Sequence, residues 1–211
     1  GLEIMKNAFT DKEEQRRVWI PFHFLPGNEG ETLEQKLLCR KNSEIAQTMF
    51  EEHIQKAATS EFGLHLIGVA SHVYCDTFSH YGFSGISSPT NKVRVKSVKV
   101  LNDLSDDPEL AAALNNGFNK FLNRYPTNWL TKVYKRTILR LGNRMVKGVG
   151  HGAVATYPDR PFLKWQMTYT ESKETVIRDN AETFLEAFIH LYDRLVKFGK
   201  LRNPNHQVNA D

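Results

Sequence analysis

The chain has 211 residues, 40% of them apolar and 25% charged, a balance that excludes a disordered or collagen-like chain and fits a folded domain with a sizeable core. A formal charge of +4 gives no strong nucleic-acid signal, and two cysteines, Cys39 and Cys75, make no disulfide framework and are expected to stay reduced. No run of about 18 apolar residues predicts a membrane span, and the N-terminus has no signal-peptide pattern, which makes a cytoplasmic protein the default.

Taken in order, the elements are mostly helices. The opening Gly1-Leu-Glu-Ile-Met5 reads as a cut end, so upstream residues of the site are expected to be missing. Residues 10–18 predict a short polar helix, and Trp19-Ile-Pro-Phe-His-Phe-Leu-Pro-Gly27 an extended, turning segment enforced by two prolines and a glycine. Ser43 starts a helix through Ile45, Met49, Ile54 and Ala57, and Thr59 or Ser60 is expected to cap a second one that the glycines at 82 and 85 stop. Lys92-Val-Arg-Val-Lys96 and Val98-Lys99-Val100 shift phase around Ser97, as a short irregular strand would. Asp107-Pro108 opens a helix to about 125, Pro126 begins another to about 147, and the last spans about 172–198, burying Val176, Phe184, Leu185, Phe188, Leu191 and Leu195. His190 falls off that stripe and is expected to be exposed. The fold class is therefore all-α, a single-domain helical bundle over 1–200 with long irregular loops, at most a short strand pair, and a loose polar tail at 201–211.

The second helix carries His72-Val-Tyr-Cys-Asp76-Thr-Phe-Ser-His80. Steps of four advance about 40° around a helix, so His72, Asp76 and His80 fall within an arc of roughly 80°. His65, a heptad earlier, lands on the same face. Imidazole and carboxylate suit zinc or another divalent first-row metal while leaving positions for water and substrate. Leu64, Leu66, Ile67, Val69, Ala70, Val73, Tyr74 and Phe78 make the helix apolar nearly all round, and a helix through the core must compensate Asp76. A metal does so, and so does a structural Asp–His or Asp–Arg pair.

Two further histidines sit outside the helices. His23 lies between Phe22 and Phe24, an expensive place for an imidazole without a partner, and His151 lies between glycines that allow close backbone approach. The sharper reading brings His23 and His151 onto the face of His72, Asp76 and His80, with His53 and His206 given no role. Lys132, Arg136, Arg140 and Arg144 form an i, i+4 ladder that either attracts phosphate, headgroups or nucleic acid or is simply a solvated face.

The blocks Trp19–Gly27, Ser71–Gly85, and Gly150-His151 with Tyr157-Pro-Asp-Arg-Pro161 and Trp165 resemble, in order, the DUF6765 proteins, an uncharacterised bacterial family. More distantly, a loop His followed by His-x-x-x-Asp on a helix is similar to the zinc-dependent phospholipase C and P1 nuclease superfamily, all-helical phosphoesterases with up to three zinc ions. That likeness implies His23, His72 and Asp76 on one metal, Asp76 able to bridge, and His80 and His151 on a neighbouring one. With one to three zinc ions in place, the implied activity is metal-dependent hydrolysis of a phosphate ester, phosphodiester or phospholipid. Asp76 would then serve at the metal, Asp159 as a base orienting the water, and Arg160 as an anion holder. Two alternatives stay open, a non-catalytic helical domain with a structural His/Asp cluster and a lipid- or membrane-directed toxin or effector domain.

Overall fold

The computed structural model describes residues 20–86, 88–103, 108–113 and 156–204, together with 17, 105, 150, 151 and 154. The expected helix at 10–18, Trp19, the helix at 126–147 with its basic ladder, and most of the polar tail lie outside the described residues, as does the helix expected from Asp107-Pro108 to about 125 except for residues 108–113, which are helical. The chain divides into two compact units, Gly1–Ile86 with Ala181–Asp211, and Ser87–Asn180.

The first unit is helical. Helix α1, Ile20–His23, is a single turn where an extended segment was expected. Pro21 is the physical reason, because its fixed φ suits the first turn of a helix and its missing N–H would have no partner there anyway. Helix α2, Leu33–Lys36, starts with a capping box between Thr32 and Gln35. Helix α3, Glu44–Thr59, is capped by the Ser43 hydroxyl, which accepts from the Ala46 amide. Helix α4 runs from Gly63 to Ser79 with Phe62 at its N-cap and no side-chain cap. Ser60 closes α3 instead, its hydroxyl donating to the Lys56 carbonyl. The chain leaves α4 through His80 and a turn at Gly82, whose φ of 78° favours glycine.

The core of this unit joins Ala46, Phe50, Ile54 and Ala57 of α3, Ile67, Ala70, Tyr74 and Phe78 of α4, and Ala187 and Phe198 of helix α5, Asn180–Arg202. Two sequence expectations are corrected here. Helix α4 is not buried all round: Leu64, His65, Gly68, Val69 and His72 form an exposed face. Helix α5 does not bury Leu185, Phe188 and Leu195, which are exposed; its inward stripe is Thr183, Ala187, half-buried Leu191 and Phe198. Small Ala187 lets the helices approach, and ion pairs from Lys41 to Glu186 and from Lys197 to Glu51 at 2.7 Å flank that stripe. His190 is half-buried, its ring 5.8 Å from that of Phe78, not exposed.

The second unit corrects the fold class. It holds a three-stranded antiparallel sheet in the order β1-β2-β3, so the chain is mixed rather than all-α, though helices dominate. The strands are β1, Lys99–Val100, β2, Lys164–Thr168, and β3, Thr175–Asp179. In β2, fully buried Trp165 and Met167 alternate with outward Lys164 and Gln166, a period of two. Strand β3 pairs along its whole length, Trp165 opposite Arg178 and Met167 opposite Val176. The β-branched run Thr175-Val-Ile prefers this extended pairing, so the last helix begins at Asn180 and Val176 belongs to a strand. The irregular strand expected near Ser97 is present as a bridge from Val93 to Tyr169, a 3-10 turn at Val95–Ser97, and β1.

Asn180 locks the end of this sheet to the preceding loop. Its side-chain amide donates to the Tyr157 and Arg160 carbonyls at 2.7 Å each, and its oxygen accepts from the Trp165 indole at 3.1 Å. These bonds shape the Tyr157–Arg160 turn. Among the described residues, no helix is long and apolar enough to cross a membrane.

Candidate metal centre

His72 and Asp76 lie one turn apart on the exposed side of α4, and α1 delivers His23 to the same place. Gly85 allows that delivery: a Cβ there would stand 2.8 Å from side-chain atoms of Ile20 and Phe24. His23 Nδ1 donates to Asp76 Oδ2 at 2.8 Å, and His72 Nε2 stands 3.7 Å from the same oxygen. The His23 and His72 rings meet edge to face with centroids 4.8 Å apart. Donor atoms of His23, His72 and Asp76 all lie within 4.8 Å of one another, so the group could hold a metal ion. Ligand atoms around tetrahedral zinc sit about 3.3 Å apart given bonds near 2.0–2.1 Å, so separations that change by at most about 1.5 Å bring the set to ligating geometry. The His72 side chain is 49% exposed, which leaves the group open to water.

His80 completes the setting from just beyond the helix end. Its Nδ1 donates to the His23 backbone carbonyl at 2.7 Å and lies 3.6 Å from Asp76 Oδ2, while its ring stacks on Phe24. A carbonyl can only accept, so Nδ1 carries the proton and the lone pair of the neutral ring lies on Nε2. His80 thus anchors the peptide that bears His23. Three imidazoles therefore crowd one carboxylate oxygen.

The remaining site expectations divide by place. His65 is on the exposed face of α4 but two turns, roughly 10 Å, from His72, and is in neither of the two metal-capable groups found among the described residues. In the second unit, His151 Nε2 lies 3.7 Å from Asp159 Oδ2, an imidazole facing a carboxylate. The Arg160 guanidinium donates to the Thr156 hydroxyl at 3.1 Å. Burial pushes the Tyr157 hydroxyl upward, with Arg160 opposing that shift. Beside the centre, burial, and after it the charge of Asp76, push the Cys75 thiol up to about 11, so it is a poor nucleophile and a poor soft ligand at neutral pH.

Sequence reasoning missed Asn180 and Phe24. The first had one available signal, an Asn preceding an apolar helical run, and the second stood in plain view beside His23 without a reason to stack on a histidine 56 positions away.

The model of a family of unknown function, DUF6765, matches residues 1–211. The chain belongs to the DUF6765 family. No curated protein and no solved structure matches it, so the more distant likeness to the phospholipase C and P1 nuclease superfamily is not confirmed. DUF6765 membership brings no activity with it, and what the site does is argued from its own geometry.

Proposed function

We propose that His23, His72 and Asp76 hold a divalent metal, best matched by zinc, and that the protein is a metal-dependent hydrolase of phosphate esters. The observation that carries this reading is the convergence of two imidazoles and a carboxylate within 4.8 Å beside a half-exposed His72. Two nitrogens and one oxygen with an open position are the donor set of hydrolytic zinc, whereas a site meant only to hold a fold closes its fourth position with protein. When bound, the ion would acidify a water and neutralise charge developing on a phosphoryl oxygen. Asp76 would hold the ion, and His80 would orient His23 through its backbone carbonyl.

The test is hydrolysis of bis(p-nitrophenyl) phosphate by zinc-loaded protein, chelated protein and the His72→Ala/Asp76→Ala variant. Turnover that falls by about two orders of magnitude or more in both controls supports the reading. Zinc-loaded protein that turns over neither this diester nor a monoester or a phospholipid rejects it.

A second reading rests on one specific contact. The 2.8 Å bond from His23 to Asp76 satisfies the carboxylate with protein alone, which is what a purely structural polar cluster requires. In that case added zinc changes neither stability nor spectrum.

A further inference from the structure

Helix α5 carries a second apolar face that its own core does not use. Ala181, Leu185, Phe188, Tyr192, Leu195 and Gly199 recur at alternating intervals of four and three, the 3.5-residue repeat by which one helix packs lengthwise against another. Leu185 and Phe188 are 59% and 63% exposed, and the Phe188 and Tyr192 rings stack across the middle of the face, 6.3 Å apart. The inward stripe of Thr183, Ala187 and Phe198 runs along a different line.

The order of residues on this face is self-complementary when reversed. Turned end over end about His190, Ala181 meets Gly199, Leu185 meets Leu195 and Phe188 meets Tyr192, so small faces small, aliphatic faces aliphatic and aromatic faces aromatic. The charges agree. Glu182 near the start and Lys200 near the end are both exposed on the flank of the face. Reversal sets Glu182 of one copy level with Phe198 of the other and two residues, about 3 Å along the axis, from Lys200, twice by symmetry, whereas parallel pairing sets like charge against like. Opposed helix dipoles favour the same choice.

We propose that this face of α5 pairs with the same face of a second copy of the chain, antiparallel and about a two-fold axis. Its four large side chains each keep roughly 100 Å² in water, so the joined faces bury roughly 800 Å² in all, small for a specific interface and the mark of a weak, concentration-dependent dimer.

The test is sedimentation velocity of the full chain across concentrations from about 1 to about 300 µM, bracketing the dissociation constant of tens of micromolar expected for so small an interface. Wild type is expected to shift from monomer to dimer over that range, and Phe188→Lys to stay monomeric with an unchanged circular dichroism spectrum. Glu182→Lys and Lys200→Glu are each expected to weaken dimerisation, and the double swap to restore it. That rescue holds even if Phe188→Lys misfolds. A wild type that is monomeric throughout overturns the proposal, as does a dimer that Phe188→Lys leaves intact or a double swap weaker than either single one.

Discussion

Helix α4 carries two polar clusters on opposite sides, and they are built on different principles. On the core side, the Tyr74 hydroxyl donates to Asn42 Oδ1 at 2.5 Å, Arg194 donates to the same oxygen at 3.3 Å, and the guanidinium stacks over the Tyr74 ring at 4.4 Å. Two donors there converge on one neutral acceptor, and among the described residues no carboxylate or imidazole joins them. On the other side, nitrogens of His23, His72 and His80 lie 2.8, 3.7 and 3.6 Å from a single oxygen of Asp76. A cluster that only needs to be satisfied needs one or two donors for a carboxylate oxygen. One that adds His72 3.7 Å from an oxygen His23 already satisfies at 2.8 Å has an electron pair left to offer a cation.

The largest expected effect tests the closed cluster. Tyr74→Ala removes a fully buried aromatic and opens a cavity, and chemical denaturation is expected to show a loss of about 3–5 kcal/mol whether or not metal is present. A comparable loss that zinc rescues would erase the distinction between the two sides.

The open cluster is expected to be stabilised only by its ion. Zinc at a few hundred times its dissociation constant adds about 3–4 kcal/mol to unfolding, read as a raised melting temperature that chelator reverses. Asp76→Asn should abolish that increment, and zinc that still raises its melting temperature would place the ion elsewhere. Next in size is His80→Ala, which frees the peptide bearing His23. Metal affinity measured by competition with a chromophoric chelator is expected to drop tenfold to a hundredfold, about 1.4–2.7 kcal/mol, without loss of stoichiometry.

The smallest effect is a control at the surface of the same unit. Lys197, and after it Gln55, hydrogen-bond the Glu51 carboxylate and hold it below the usual glutamate range. A depressed folded value stabilises above the unfolded value and is lost as pH falls through the folded one. Glu51→Gln should therefore cost less than about 0.5 kcal/mol at pH 7, a cost that fades as the pH falls through the folded value, and less still in high salt.

Legibility follows the range of the interactions. His72 and Asp76 were readable because i, i+4 on a helix is local geometry, and His23 because an imidazole between phenylalanines and prolines needs a partner. The one-turn helix that presents His23 was hidden, since Pro21 breaks a helix in its interior and starts one at its first turn. The sheet was missed because β2 and β3 are only five residues each and Val176 fell in phase with the following helical stripe. In α5, two apolar lines share one period of 3.6. Which line turns inward was decided by Ala187 and by the flanking pairs to Lys41 and Glu51, partners 145 and 146 residues away.

The central claim is that the crowded side of α4 is a metal site. Elemental analysis of protein purified without a polyhistidine tag or added metal tests it most directly, run beside the His72→Ala/Asp76→Ala variant. At least one equivalent of zinc or another divalent metal is expected in the wild type, and its loss in a variant that stays folded. Folded wild type without metal, or metal retained in the variant, would contradict it and leave Asp76 as a carboxylate satisfied by histidines alone.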